Sequence, residues 1–378
     1  VAPFALSRRR LLGLAAGAAA APLLSPRAAR AETRSGRLYL SCCAADDGQC
    51  FTGAFTADGR LAYRVPLPER GHSLAVSPDG SRAVQFSRRP GSFAVVFDPR
   101  DGRLVETLAC RDDRRFNGHG AFAPDGRLVY LSENDFVAER GVLGVYDARD
   151  GFRRVAELPS HGIGPHELRL MPDGTTLAVC NGGIQTRPDL PRIKLNIPTM
   201  EPSLAYLDRR DGRLLGKVHL PAELHLASIR HLAVRADGLV AFAMQYQGPR
   251  GDLVPLVATH AAGARAPRLF EAPEAALRAL EGYVGSATLD ASGEFLAVSS
   301  PRGGAIQVWE VESARPVFTA AIADGCGIAA TGAAGGFLAS SGVGGTFLLE
   351  AVAGRCRPVA SPALEALHWD HHIVPAAA

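Results

Sequence analysis

Beyond its first two dozen residues this chain has no apolar run approaching the ~20 residues a membrane-crossing helix needs, so nothing in its body reads as a transmembrane span. It has almost no charge excess either. Lys and Arg number 41 against 38 Asp and Glu, and part of the surplus of +3 lies in the N-terminal segment, which leaves no basic footprint for nucleic acid. Helical periodicity is nearly missing, and residues 273–280 are the one short helix expected. There is no CxxCH, which excludes covalent haem c by that motif, and no CxxC pair for zinc or dithiol chemistry. GxSxG, HExxH, a P-loop and a GxGxxG with a following acid are missing too, so the chain leans away from the standard enzyme classes.

What is present begins with Ser7-Arg8-Arg9-Arg10-Leu11-Leu12, a twin-arginine pattern followed by an Ala-rich run to about Leu24 and small residues ending Ala29-Arg30-Ala31. This reads as a twin-arginine export signal over 1–31, cleaved after Ala31, ahead of a single domain over 32–378. The expected location is the periplasm, in soluble form. Seven cysteines, at 42, 43, 50, 110, 180, 326 and 356, fall in a setting that permits disulfides, and the odd number leaves at least one thiol free, liganded or paired between chains.

The body of the chain is a repeat. Each unit of roughly 40 to 60 residues has four short strand-like runs, the length of a propeller blade. In the first unit these are Leu74–Val76, an Asp79-Gly80 turn, Arg82–Phe86, a variable loop, Phe93–Asp98 and Arg103–Leu108. Six units begin near residues 72, 119, 166, 231, 285 and 327. Residues 37–66 supply three further runs, and His371–Pro375 a fourth. The prediction is an all-β, seven-bladed β-propeller closed by pairing of its N- and C-terminal strands, which removes free sheet edges. A monomer is expected.

Four units open on a histidine: His72, His119, His166 and His231, each six or seven residues ahead of the Asp of an Asp-Gly turn. Chance would give this on the order of one time in ten thousand. Equivalent positions converge when repeats close into a ring, so these imidazoles are predicted to surround a solvent-filled channel mouth beneath loops 87–92, 133–141, 181–202, 245–253 and 301–304. One reading is a metal- or anion-binding ring. The other is a strand-tying role inside each blade, which needs a repeated partner, and no Trp-Asp partner pattern occurs. Through neutral imidazole, metal affinity is expected to fall as pH drops through ~6.5. Cys326, beside the start of the sixth unit, is a candidate soft ligand, a disulfide partner of Cys356, or an inert buried thiol.

Several strings together resemble a known family: His161 to Leu168, Asn181-Gly182-Gly183-Ile184, Arg192 with Leu195-Asn196, Met200, Ser228 to Leu232, Gln245-Tyr246-Gln247-Gly248 and Ser300-Pro301-Arg302-Gly303. The resemblance is to twin-arginine-exported periplasmic propellers classed as domain of unknown function 1513, and it spans essentially the whole mature chain. It implies an iron-uptake setting, since members are encoded beside imelysin-like and di-haem-peroxidase-like proteins, and it brings no established reaction. The closing string His368-Trp369-Asp370-His371-His372 is similar to the family's Trp-Asp-Asn-His, which makes His372 the matching histidine.

Read from the residues themselves, Glu133, Asn134, Asn181, Gln245, Gln247 and Arg302 fall at ends of second strands, on the histidine face, while Glu167, Arg192, Asn196 and Arg230 add charge and hydrogen-bonding groups beside the channel. Each alone is more simply a turn or capping residue; together they are candidate ligand contacts. Three function classes stay open. The first is a metal-handling protein that binds iron or copper and works with periplasmic iron-uptake partners. The second is a lactonase- or oxidoreductase-type enzyme with a metal-activated water. The third is a docking scaffold, which would explain the 181–202 insertion. Imidazoles facing one another in a polar channel favour the first two; a flat apolar face favours the third.

Overall fold

Asp-Gly turns set the pattern. In the computed structural model, which describes residues 36–190 and 193–376, Gly80, Gly126, Gly174 and Gly238 all hold positive φ. The preceding Asp79, Asp125, Asp173 and Asp237 each accept the backbone N–H two residues on, at 2.8–3.1 Å. An aspartate that caps its own turn beside a residue free to adopt positive φ folds the chain into a tight hairpin. The expected export signal over 1–31 and Arg192 lie outside the described residues.

The result is seven antiparallel sheets. Inner strands such as Ala83–Ser87 and Phe93–Phe97 are buried throughout, whereas outer ones such as Leu104–Ala109 are mostly exposed. Innermost strands touch their neighbours in chain order and the last returns to the first, so the ring closes. Hydrophobic clusters fill the spaces between adjacent blades: Phe86 and Phe116 join the second and third, Leu40 and Val95 the closing blade and the second. The expected helix appears as Glu274–Ala279, joined by an unexpected short one, Pro362–Glu365, capped by the Ser361 side chain.

The closing blade differs from its expected form in one respect. Leu38–Ala44 pairs with Cys50–Thr56 on one side. On its inner side it pairs first with His368–Trp369 and then with Val374–Pro375. The tail is therefore two short strands, and residues 370–373 leave the ladder between them. Trp369 is fully buried, with its ring centre 4.7 Å from that of Phe55. Deleting residues from His368 onward removes this tryptophan and exposes a sheet edge. With ~3–5 kcal/mol lost for a buried tryptophan alone, the melting temperature should drop by about 10 °C or more. An unchanged thermal melt would contradict closure by the tail.

Candidate metal centre

The histidines reach the channel because their strands are bulged. In the second blade Gly71 pairs with Ser87 and Leu74 with Gln85, so His72 and Ser73 stand against Phe86 alone. In the fourth, His166 and Glu167 stand against Cys180; in the fifth, Arg230 is the extra residue between Ile229 and His231. A bulge re-aims the side chains it carries. The third blade has the longest of these four, with Asn117, Gly118 and His119 against Ser132. Gly118 sits at φ +92°, and a Cβ there would stand 2.7 Å from His72 Cδ2, so only glycine lets the two imidazole-bearing strands approach. In the closing blade, residues 370–373 face only Ser41 and Cys42 and bring in Asp370, His371 and His372. The Ser41 hydroxyl pins this segment by donating to the His372 carbonyl at 2.7 Å.

Five imidazoles then share one interior. His119 contacts each of the other four, with ring centres 4.5–5.8 Å apart. Those four form a closed cycle, His72–His166–His231–His372, with sides of 4.7–5.5 Å. Among the described residues, neither diagonal pair makes a ring contact. In a flat arrangement the hub would lie closer to the rim than rim members lie to one another. Here the distances match, so His119 stands out of the plane as the apex of a square pyramid. The extra residue in its bulge accounts for the displacement.

Buried carboxylates set the nitrogens. His72 Nδ1 lies 2.8 Å from Asp370 Oδ1, whose other oxygen accepts from Arg70 Nε at 2.6 Å and Arg88 Nη1 at 3.0 Å. His231 Nδ1 lies 3.2 Å and His119 Nδ1 4.0 Å from Glu167 Oε2. A carboxylate that accepts a hydrogen bond from Nδ1–H fixes the tautomer in which Nε2 carries the lone pair, the arrangement found behind metal-binding imidazoles. Nε2 of His72, His119, His231 and His372 and Nδ1 of His166 are buried and have no hydrogen-bond partner. Donor atoms of His72, His119 and His372 lie within 4.8 Å of one another, as do those of His119, His166 and His231.

Burial pushes His119, His166 and His372 well below the ordinary histidine range, and His371 down to about 3. Burial also lowers His231, against the pull of Glu167. Burial alone would raise Glu167, but Arg169, His119 and His231 hold it at about 2. Asp370 likewise stays well below its usual range, because His72 and neighbouring cations outweigh its burial. His119, His166 and His372 thus stay neutral well below pH 6.5, and the expected loss of metal affinity at that pH moves to more acid conditions.

The expectation of a solvent-filled mouth is corrected: His72, His119, His166, His231 and His372 are all buried, from 0% exposed at His231 to 7% at His166. A cavity of about 100 Å³ does reach three of them, His72, His166 and His231, and it is lined by His371 as well. Arg230 and Gln245, both expected beside the channel, also line it. Burial first, then the neighbouring Arg89, lowers the Arg230 guanidinium to about 9.

Other candidates have different employment. Cys326 occupies an equivalent bulge, yet its thiol meets Asp324 at 3.6 Å and none of the metal-competent groups among the described residues includes it. It forms no disulfide with Cys356, since all seven cysteines are free thiols. Glu133 is turned into its own blade, where Tyr146 and Arg154 bind it at 3.0 and 2.7 Å. Asn134 accepts from Asn117, and Asn181 donates to the Ser160 carbonyl. Asn196 ties down the insertion through Gln185 and Gly183. Gln247 accepts from Lys194, and Arg302 stacks 4.4 Å over the Tyr283 ring. Sequence reasoning missed Asp370, His371, Arg88, Arg89 and Tyr283. Asp370 and His371 were in view in the closing string but were read only for the histidine match.

A family model described as Protein of unknown function (DUF1513) matches residues 65–376. No curated protein matches. Among solved structures, Kuenenia stuttgartiensis hydrazine synthase is similar at a TM-score of 0.59 and 14% identity, with 84% of this chain and 94% of that chain covered, a likeness of fold alone.

Proposed function

The chain belongs to the family described as Protein of unknown function (DUF1513), and from its channel chemistry we propose that it is a periplasmic metal-handling propeller that binds one iron or copper ion on His72, His119, His166, His231 and His372. The orphaned nitrogens carry this reading. Each of the five buried imidazoles keeps one ring nitrogen without a partner, where an unmet polar group forfeits ~1–3 kcal/mol. Two imidazole triads that share His119 offer more nitrogen donors than the closed tetrahedron of structural zinc takes, which suits iron(II) or copper(II). Asp370 and Glu167 orient the donors from behind.

The twin-arginine route fits the same proposal. It carries folded cargo, and five blades must assemble before the donors meet. Partners in iron uptake belong to this reading as well. The insertion exposes Leu190, Ile193 and Leu195, as a docking scaffold would, but imidazoles turned toward one another favour the metal reading.

Titrating chelator-treated protein with iron(II), copper(II) and zinc(II) tests it. One iron or copper ion per chain is expected, and the copper(II) protein should show an axial electron paramagnetic resonance spectrum with coupling to several nitrogens. No stoichiometric uptake of iron or copper, or a copper spectrum without nitrogen coupling, would overturn it.

A further inference from the structure

We propose that the cavity lined by His72, His166 and His231 binds a small oxyanion or carboxylate, gripped by Arg230 and Arg89 and presented to the histidine cluster. The metal-facing half rests on the reading above; the arginine half stands on its own. Arg230 is 3% exposed and lines the cavity. Among the described residues its guanidinium has no carboxylate partner, and its buried Nε has no hydrogen bond at all. A buried cation without a counter-charge is destabilising unless an anion joins it.

Its surroundings leave that role to a ligand. Arg88 and Arg89 line the same cavity, with Tyr283 and His371, and no carboxylate does. Arg88 is already paired with Asp370, whereas Arg89, like Arg230, has no acidic partner among the described residues. Room for Arg230 comes from Gly182, where a Cβ would lie 3.0 Å from the Arg230 Cζ. Arg230 is the extra residue of the fifth-blade bulge, so the device that aims His231 also aims the cation.

Chemistry and size narrow the occupant. Planar guanidinium groups suit the two oxygens of a carboxylate or oxyanion. A cavity of about 100 Å³ has room for carbonate, acetate or phosphate. Because His72, His166 and His231 line it, an anion there lies beside three imidazoles of the cluster.

Isothermal titration of chelator-treated protein with bicarbonate, acetate and phosphate, in a chloride background, tests the arginine half without any metal. At least one probe should bind one to one and lose about tenfold or more in affinity in Arg230→Gln and in Arg89→Gln, the latter outside the strands. If none binds, or both variants bind as wild type does, the site is overturned while the metal reading stands. In copper-loaded protein the bound probe should shift the paramagnetic resonance spectrum. Anion binding that leaves a well-formed copper spectrum unchanged would overturn presentation to the metal.

Discussion

Acidifying the metal-free protein from pH 7.5 to 5.5 should remove several kcal/mol of its stability, and bound metal should restore most of it. His119, His166, His231, His371 and His372 all have folded-state values below the ordinary histidine range, with burial as the largest cause. For a group lowered in this way, the unfolded chain takes up a proton below ~6.5 while the folded protein does not, so stability falls as pH falls. Above that pH the groups are neutral in both states and contribute nothing. Over this window each takes away at most ~1.4 kcal/mol, so five together approach ~7 kcal/mol, comparable with a whole domain's stability of ~5–15 kcal/mol. Glu167 and Asp370 stay ionised throughout this window, because both are held below their usual range. The folded imidazoles are already neutral across this window, so saturating iron or copper should raise the whole profile by a nearly constant amount and leave its slope unchanged. Denaturant melts at half-unit pH steps, with and without metal, measure both curves; an apoprotein equally stable at both ends would contradict the buried, neutral cluster.

Replacing His166 and His231 together by Gln should abolish tight metal binding, with affinity down by about a thousandfold or more. These are adjacent corners of the base, and their removal leaves three imidazoles. Losing only an outer carboxylate partner already costs ~10- to 100-fold at metal sites, so losing two donors should cost more. Gln keeps most of the buried volume, and at 231 its amide can still donate to Glu167. Far-ultraviolet circular dichroism and a thermal melt establish that the variant is folded, and His225→Ala, at an exposed position, serves as the control. Wild-type affinity in the folded double variant would remove the pyramid as the metal site.

The blades, the number of sheets and the convergence of four histidines were legible because they repeat: the Asp-Gly turn and the histidine ahead of it recur with nearly constant spacing. Departures from the repeat were not legible. A bulge leaves no mark in composition or alternation, so the additional residue before His119 that lifts it out of the plane is visible only in the register. Cys326 shows the opposite error. Its strand has the same bulge, but hydrogen bonding to Asp324 gives its thiol another partner. Glu133 was placed by strand position alone, and strand position says nothing about the Arg154 and Tyr146 waiting across the blade. Arg89 and Tyr283 meet the cavity from separate blades, a juxtaposition no local pattern encodes.

The segment from Asp370 to His372 gives the molecule a completion check. During synthesis His72, His119, His166 and His231 emerge long before the last corner of the base, so a nascent chain, or one clipped before Asp370, has an open base and a His72 without its carboxylate. On the proposed metal reading, tight metal capture would be reserved for chains whose ends have already met. On that reading, an ion held from five consecutive blades would act as a clasp across the seam, since the first strand and the tail could not part without giving up His372. Resistance to exopeptidases that nibble from the C-terminal side should rise with metal occupancy, although the ion touches no residue of the outer sheets.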